Sequence, residues 1–474
     1  MNKRSPLIIL TAQRPWVFRK HPPFGVLYLA DSLLQAGFRV KIIHRVESRK
    51  EAVLEAVREE RPLFVGLSVI ATPLLAEDIE ISKAVHAAGV PVVWGGIYPS
   101  MVPETALSAD YVDYILTGEA ELTVIDFARA LAEGQEPEDV PGAGYKKDGP
   151  VIHPAGAFHS DLDRFRPAWE LLNLPEYLEL FPGTGDLMMM VSLSRGCPHR
   201  CIFCYNQSNP ERRRFRIHST EYLREQVGYL QKKFRINLVR WISDNPFGKV
   251  EKGKQVIEGV GMPWMSTARI DVVDHDFAGW LKQSGCRFLA FGFESGVDRV
   301  LKILRKGFTS EDIRTGLVNL DREGIFASGN WIHLVPGETE EERIQTRAFM
   351  DELYKMSPRV HHDIQGLRPY PDTPVWELCL EMGLKPPETN EEWTRAHRLA
   401  APLFGWTEKR LRRLVLANRI LYGRAGKSPP AVNAAQHEVL RKRFLKGEFH
   451  GPVEEQMSRW PSLQNKISDP SEEE

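Results

Sequence analysis

The chain has 474 residues, with 62 Lys and Arg against 63 Asp and Glu and a formal charge of −1. That length leaves room for about two or three domains with separate cores, and the balanced charge argues against a general nucleic-acid binder. Only five cysteines are present, three of them in one short loop, which excludes a disulfide framework and points to a reducing cytoplasm.

Met1 to Pro6 lacks the apolar core of a signal peptide, and no apolar run reaches transmembrane length. Across residues 1–135, strands are predicted at Leu7–Ala12, Arg39–His44, Leu63–Val69, Val90–Gly96 and Tyr111–Gly118, with helices near 25–36, 50–60, 73–88 and 119–133. Strands of nearly continuous Val, Ile and Leu between amphipathic helices predict a doubly wound parallel sheet, an α/β fold. Ligands of such sheets sit beyond the carboxyl ends of the strands. There the chain reads His21-Pro22-Pro23-Phe24-Gly25, Gly66-Leu67-Ser68, Gly95-Gly96-Ile97-Tyr98-Pro99 and Thr117-Gly118-Glu119. Glycine at such places lets the backbone approach a bulky ligand, so Ser68, Gly95, Gly96, Gly118 and Glu119 are candidate contacts. Turn glycines are also ordinary, and no single loop is specific. Residues 136–186, rich in Pro and Gly, read as a linker with local strand structure.

From Leu187 the alternation resumes, with strands predicted at 187–194, 238–244, 263–269, 288–295, 327–335 and 361–368. After the first of them comes Ser194-Arg195-Gly196-Cys197-Pro198-His199-Arg200-Cys201-Ile202-Phe203-Cys204-Tyr205-Asn206. The spacing C-x3-C-x2-C offers three thiolates, and a four-iron cube held by three ligands keeps one iron open. Buried structural cysteines are one alternative. A zinc site with His199 as fourth ligand is another, although His199 lies between two cysteines with little room to close a tetrahedron.

The loop, with Phe203 before its third cysteine, resembles the signature of radical S-adenosylmethionine (radical SAM) enzymes. That resemblance implies a [4Fe–4S] cluster on Cys197, Cys201 and Cys204 whose open iron chelates S-adenosylmethionine, and a 5'-deoxyadenosyl radical on reduction. It also implies a partial (β/α)6 barrel with the loop at the carboxyl end of its first strand. Later segments match in order: Ser243-Asp244-Asn245-Pro246, Ser266-Thr267-Ala268-Arg269, Gly292-Phe293-Glu294-Ser295-Gly296 and Leu334-Val335-Pro336-Gly337-Glu338-Thr339. By the resemblance Arg269 pairs with the carboxylate of S-adenosylmethionine, while Glu294 and Ser295 hydrogen-bond its amino acid portion. Each segment alone is ordinary: a charge at a strand end is often solvated, and Glu338-Thr339 can simply open a helix. Leu334 stands where related chains often carry glycine.

Residues 5–135 resemble the cobalamin-binding domain that precedes the cysteine motif in one radical SAM subclass. No D-x-H-x-x-G string is present, and His44 and His86 read as edge or surface histidines. The resemblance therefore implies cobalamin without a histidine beneath the cobalt, with Val69 and Ile70 facing the metal. Trp331 and His333 share one strand face, turned either to the barrel interior or into the core. His361, His362, Asp363 and Tyr370 are candidate substrate or proton-transfer groups by position. Glu408–Arg424 reads as a basic amphipathic helix packing its apolar stripe on the domain, or touching a membrane surface or an acidic redox partner. Ser468–Glu474 reads as a disordered acidic tail.

The expected division is 1–135 for cobalamin, a linker at 136–186, 187–390 for radical chemistry and a helical region at 391–474. The function implied is a cobalamin-dependent C-methyltransferase acting on an unactivated carbon of a small-molecule or peptide substrate. A flavodoxin- or ferredoxin-type donor would supply electrons. The alternatives are a cobalamin-dependent cyclase or rearrangement enzyme and a non-catalytic cobalamin or metal sensor. A methylthiotransferase fits less well, because Cys286 and Cys379 cannot build a second three-cysteine cluster.

Overall fold

The computed structural model describes residues 5–15, 19–181, 184–396, 399–422 and 434–449; the acidic tail and Arg424 lie outside them. The chain divides into two compact units, one of residues 1–178 with 385–397, the other of residues 179–384 with the rest.

In the first unit, β1 (Leu7–Ala12), β2 (Arg39–Ile43), β3 (Phe64–Ser68), β4 (Val92–Gly95) and β5 (Tyr114–Leu116) pair in parallel in the order β2-β1-β3-β4-β5. Their apolar side chains are buried against helices: Ile8, Leu10, Phe64 and Val93 pack with Val26, Ala30 and Leu33 of helix Phe24–Gln35 and with Phe127 of helix Thr123–Ala132. Burial on both faces is why these strands read as continuous apolar runs.

The stretch expected to be a linker differs. β6 (Ala143–Lys147) extends the same sheet antiparallel to β5, β7 (Gly149–Ile152) adds antiparallel to β6, and Phe158, Leu162, Phe165, Trp169, Leu174 and Tyr177 are buried. The segment runs through short turns at Leu162–Arg164, Trp169–Leu171 and Leu174–Tyr177, so its local strands were legible in the sequence but its buried apolar residues were not. Residues 385–397 also return to the first unit.

The second unit holds β8 (Glu179–Leu180), β9 (Leu187–Ser192), a short antiparallel pair of β10 (Ser194–Arg195) and β11 (Arg216–Ile217), β12 (Leu238–Ile242), β13 (Trp264–Ala268), β14 (Cys286–Glu294), β15 (Phe326–His333) and β16 (Val360–Gly366). The sheet order is β16-β15-β14-β13-β12-β9-β8, with all but β8 parallel, an open half barrel. Helix starts follow the local chemistry: Ser219, Asp274, Thr309 and Thr339 accept from backbone N–H groups of the first turn, the last two as reciprocal capping boxes with Asp312 and Glu342.

One face of the half barrel is covered by helices. Trp331 packs edge-on to Phe349 of helix Glu340–Met356 and donates to His362 Nδ1 at 3.1 Å, and His333 Nε2 lies 3.1 Å from Arg347 Nη1 of that helix. Trp331, His333 and His362 therefore belong to the helix-covered layer and not to the interior. Burial holds His362 down at about 3. Helix Glu408–Tyr422 packs its apolar side on β16, where Asn418 donates to the His362 carbonyl at 2.9 Å. The opposite face carries the alternate residues: Thr267, Asn330 and Gln365 are exposed, and Ser328, His361 and Asp363 half-buried. Asn330 stands opposite Asp363, and Ser328 opposite His361.

Candidate functional site

The cysteine loop leaves the carboxyl end of β9 and is closed by the β10–β11 ladder. Gly196 has φ +83°, and a Cβ there would lie 2.2 Å from the Arg214 carbonyl oxygen, so no side chain fits. Its N–H donates to Asp244 Oδ2 at 2.7 Å; the acidic strand end thus shapes the loop. The Cys197 N–H donates to the Arg212 carbonyl at 3.2 Å, and Ile202 N–H to that of Leu304 at 3.1 Å. The Ile202 carbonyl accepts from Val375 N–H at 3.2 Å.

Cys197, Cys201 and Cys204 are free thiols, Cys201 buried and the others half-buried. Burial, reinforced by the neighbouring thiols, pushes Cys204 up to about 12, and burial raises Cys197 as well. Among the described residues no three His, Cys, Asp or Glu side chains are drawn into a metal-ligand set. The fit to iron rests on the donors themselves: three soft sulfurs in one loop, with cations close by to compensate thiolate charge.

Those cations are Arg269 and Lys306. Arg269 Nη1 donates to Cys201 Sγ at 3.7 Å, while its Nε and Nη2 grip Asp271 at 3.0 and 2.9 Å. Lys306 Nζ lies 3.1 Å from Glu294 Oε1, both side chains under 10% exposed. The same ammonium sits 5.6 Å from the ring centroid of half-buried Phe203. Glu294 has φ +66°, next to a register shift between β14 and β15. A Cβ at Gly292 would stand 2.1 Å from the Glu294 carboxylate and 3.3 Å from Lys306 Nζ, so glycine makes room for the pair.

Ser295, grouped with Glu294 by the sequence, turns the other way. It is fully buried, its hydroxyl 3.0 Å from Thr346 Oγ1 and accepting from Val297 N–H. It closes the turn and does not reach the open face. Leu334 has φ +70°, a left-handed backbone that glycine adopts freely. Glu338 braces that turn by accepting from the Leu334 and Val335 N–H groups, and burial pushes its carboxyl up to about 7. Tyr370 is half-buried after β16. Sequence reasoning missed Lys306, Asp271 and Phe308. Arg305-Lys306-Gly307 looks like an ordinary helix end, and Gly307 does take φ +75° there.

At the carboxyl edge of the first sheet the glycine loops are tied to one another. The Val69 N–H donates to the Gly95 carbonyl at 2.8 Å, and Tyr98 N–H to that of Val69 at 3.1 Å. Ser100 Oγ donates to the Gly96 carbonyl at 2.7 Å and accepts from Gly118 N–H at 3.0 Å. A Cβ on Gly96, at φ +97°, would stand 3.0 Å from the Val69 oxygen and 3.2 Å from the half-buried Ser68 hydroxyl. Gly118 is at φ +76° and packs on Ala155. Glu119 is half-buried and engaged by neighbours.

Of the two residues expected beneath a cobalt, Val69 is fully buried and Ile70 is 38% exposed. Backbone bonds to Gly95 and Tyr98 hold Val69 against the turn with its side chain buried, so of the two Ile70 is the one open to a ligand. Its carbonyl accepts from Gln13 Nε2 at 3.0 Å, and Gln13 Oε1 accepts from Thr72 at 2.7 Å. Gln13 also bonds Asp78, which pairs at 2.6 Å with buried Arg49. His44 is satisfied by the Tyr177 hydroxyl at 2.7 Å and by the Gln13 carbonyl, and His86 by Asp113. A glycine-lined edge with one exposed apolar residue fits a large planar ligand without a protein histidine.

A cavity of about 340 Å³ lies at the opposite, amino ends of β9, β12 and β13, among Asp186, Arg224, Asn237 and Met262. It contains none of these groups.

Fold and site define an α/β protein with a thiol loop at the mouth of a half barrel and, on a second sheet, a glycine-laced ligand edge. Residues 191–350 match the radical SAM superfamily and residues 17–128 the B12 binding domain. The chain thus carries a B12-binding domain ahead of a radical SAM domain. It is 27% identical over 380 residues to an uncharacterized methyltransferase of Pyrococcus horikoshii, covering 77% of this chain and 79% of that one. It is 24% identical to the anaerobic magnesium-protoporphyrin IX monomethyl ester cyclase of Synechocystis, covering 71% of this chain and 68% of that one. The radical S-adenosylmethionine methyltransferase TsrM from Kitasatospora setae, solved with cobalamin and a [4Fe–4S] cluster, superposes with TM-score 0.66 at 18% identity. That match covers 95% of this chain and 90% of TsrM. No helix among the described residues is long and apolar enough to cross a membrane.

Proposed function

We propose that the protein is a cobalamin-dependent radical SAM C-methyltransferase acting on a small molecule. The observation that carries the reading is the three-cysteine loop at the carboxyl end of the first half-barrel strand, in one chain with a B12-binding domain. When bound, the cluster supplies the electron that splits S-adenosylmethionine into methionine and a 5'-deoxyadenosyl radical, and the corrin carries the methyl group delivered to the substrate.

Cys197, Cys201 and Cys204 hold the iron, and Asp244 and Gly196 fix the loop that presents them. Phe203 and the Glu294–Lys306 pair shape the pocket for the methionyl part of S-adenosylmethionine, Glu294 accepting from its ammonium. Ser68, Gly95, Gly96, Gly118 and Glu119 would hold the cobalamin, and exposed Ile70 would offer it an apolar contact. Thr267, Asn330, Asp363 and Gln365, on the open face of the half barrel, offer hydrogen bonds to a polar substrate. A flavodoxin- or ferredoxin-type donor in a reducing cytoplasm would supply the electron.

The test is anaerobic reconstitution with iron, sulfide and cobalamin. Reduced protein given S-adenosylmethionine should form 5'-deoxyadenosine, and with substrate also S-adenosylhomocysteine and a methylated product. Replacing any one of the three cysteines by alanine should lower 5'-deoxyadenosine formation at least about a hundred-fold. The cyclase relative keeps ring closure as the second reading. Abundant 5'-deoxyadenosine with a cyclised product and no S-adenosylhomocysteine would select it.

A further inference from the structure

The resemblance gives Arg269 the carboxylate of S-adenosylmethionine, but the geometry commits this side chain elsewhere. Carboxylates take arginine best through two parallel N–H bonds, and those of Arg269 are already on Asp271, through Nε at 3.0 Å and Nη2 at 2.9 Å. Nη2 also donates to the Lys306 carbonyl. Nη1 is left pointing at Cys201 Sγ, 3.7 Å away. Phe308 closes another side, its ring centroid 5.1 Å from the guanidinium carbon. Arg269 is 9% exposed and Cys201 8%, so little water screens the contact.

We infer that Arg269 is a positioning residue for the cluster, acting through an N–H···S bond to the Cys201 thiolate that makes the cluster easier to reduce, and that it does not grip S-adenosylmethionine. Reduction adds one electron, from [4Fe–4S]2+ to [4Fe–4S]+, with no bond made or broken in the protein. In a buried site the added negative charge is costly, and an N–H dipole fixed on a ligand sulfur lowers that cost. Asp271 offsets the net charge of the guanidinium but holds its plane, so what the cluster feels is mainly the directed donor. The Lys306 carbonyl locks the other edge, and the neighbouring Leu304 carbonyl holds the cysteine loop through Ile202 N–H. The connection after helix Asp298–Ile303 thus fixes donor and acceptor together.

The inference rests on the cluster assignment proposed above. The test is an EPR-monitored dithionite titration of reconstituted wild type, Arg269→Gln and Arg269→Lys, with S-adenosylmethionine binding measured on the oxidised proteins by equilibrium dialysis. For R269Q the reduced-to-oxidised ratio at the wild-type midpoint should fall about ten-fold, a shift of ~59 mV to more negative potential for one electron. R269K, which keeps a cation but loses the fork, should shift part of the way. Binding of S-adenosylmethionine should change by less than about three-fold in both. Unmoved midpoints overturn the inference, as does binding weakened ten-fold or more, whatever the midpoints do. Failure of both variants to hold iron also overturns it, since Arg269 would then serve assembly and not potential. Wild-type protein with no four-iron signal would sink the cluster assignment itself, a distinct result.

Discussion

At the scale of single residues, small groups decide whether the site can form. Gly196 has no room for a Cβ and needs a positive φ, a combination whose violation costs about 1–3 kcal/mol from backbone strain alone. Gly196→Ala should therefore push Arg214 away and open the β10–β11 ladder. The expected result is a several-fold loss of iron per chain after reconstitution, with the far-ultraviolet dichroism intact. His362 gives a pH prediction. It is 1% exposed and held at about 3 by burial, whereas an unfolded histidine titrates near 6.5. Between those values the unfolded chain binds a proton that the folded chain refuses, so stability falls as pH falls, by about 1.4 kcal/mol per pH unit below 6.5. Glu338 works in the opposite sense. Its carboxyl, raised to about 7, contributes stability that is full below about pH 4.5 and is lost as pH rises to about 7. His362→Asn keeps an acceptor for the Trp331 indole and isolates the histidine effect. Its denaturant midpoint should drop less than that of wild type between pH 7 and pH 5.5, and equal drops would refute the assignment.

At the scale of elements, the short helix Asn390–Trp393 matters beyond its length. Tyr98, three residues after Gly95, donates to Asn390 Oδ1 at 2.6 Å, and its ring meets Trp393 edge-on at 5.9 Å. Glu391 pairs with Lys83 and accepts from Tyr111. A segment far along the chain thereby buttresses the Gly95–Gly96 turn from within the first unit. Tyr98→Phe leaves Asn390 with an unpaired buried oxygen and should cost about 1–3 kcal/mol. Asn390→Ala should weaken cobalamin retention, read from corrin absorbance after gel filtration, and leave iron content unchanged. A variant that retains cobalamin as wild type does would show that the turn stands without this brace.

At the scale of the whole molecule, two cores imply two cooperative units. Calorimetry should show two transitions, and cobalamin at one hundred times its dissociation constant should stabilise the first unit by about 2.7 kcal/mol. The second transition should respond to iron and sulfide, not to cobalamin. A cobalamin effect on both transitions alike would show that the units unfold together.

The order of strands, the parallel pairing and the cysteine loop were legible in the sequence, because burial on both faces and thiol spacing are local patterns. So were Cys197, Cys201, Cys204, Arg269 and Glu294 as members of one strand-end set. Contacts between distant segments were not. The sequence could not tell that Trp331 and His333 face the helices, since alternation fixes a shared face but not which one is covered. Nor could it show that Ser295 and Val69 turn inward, that 136–178 completes the first unit, or that residues 385–397 return to it. Lys306 and Asp271 look like a helix end and a surface acid until folding brings them to Arg269. Local periodicity thus determined the elements, and cysteine spacing the thiol loop. Only tertiary packing decided which neighbour each charged group would keep.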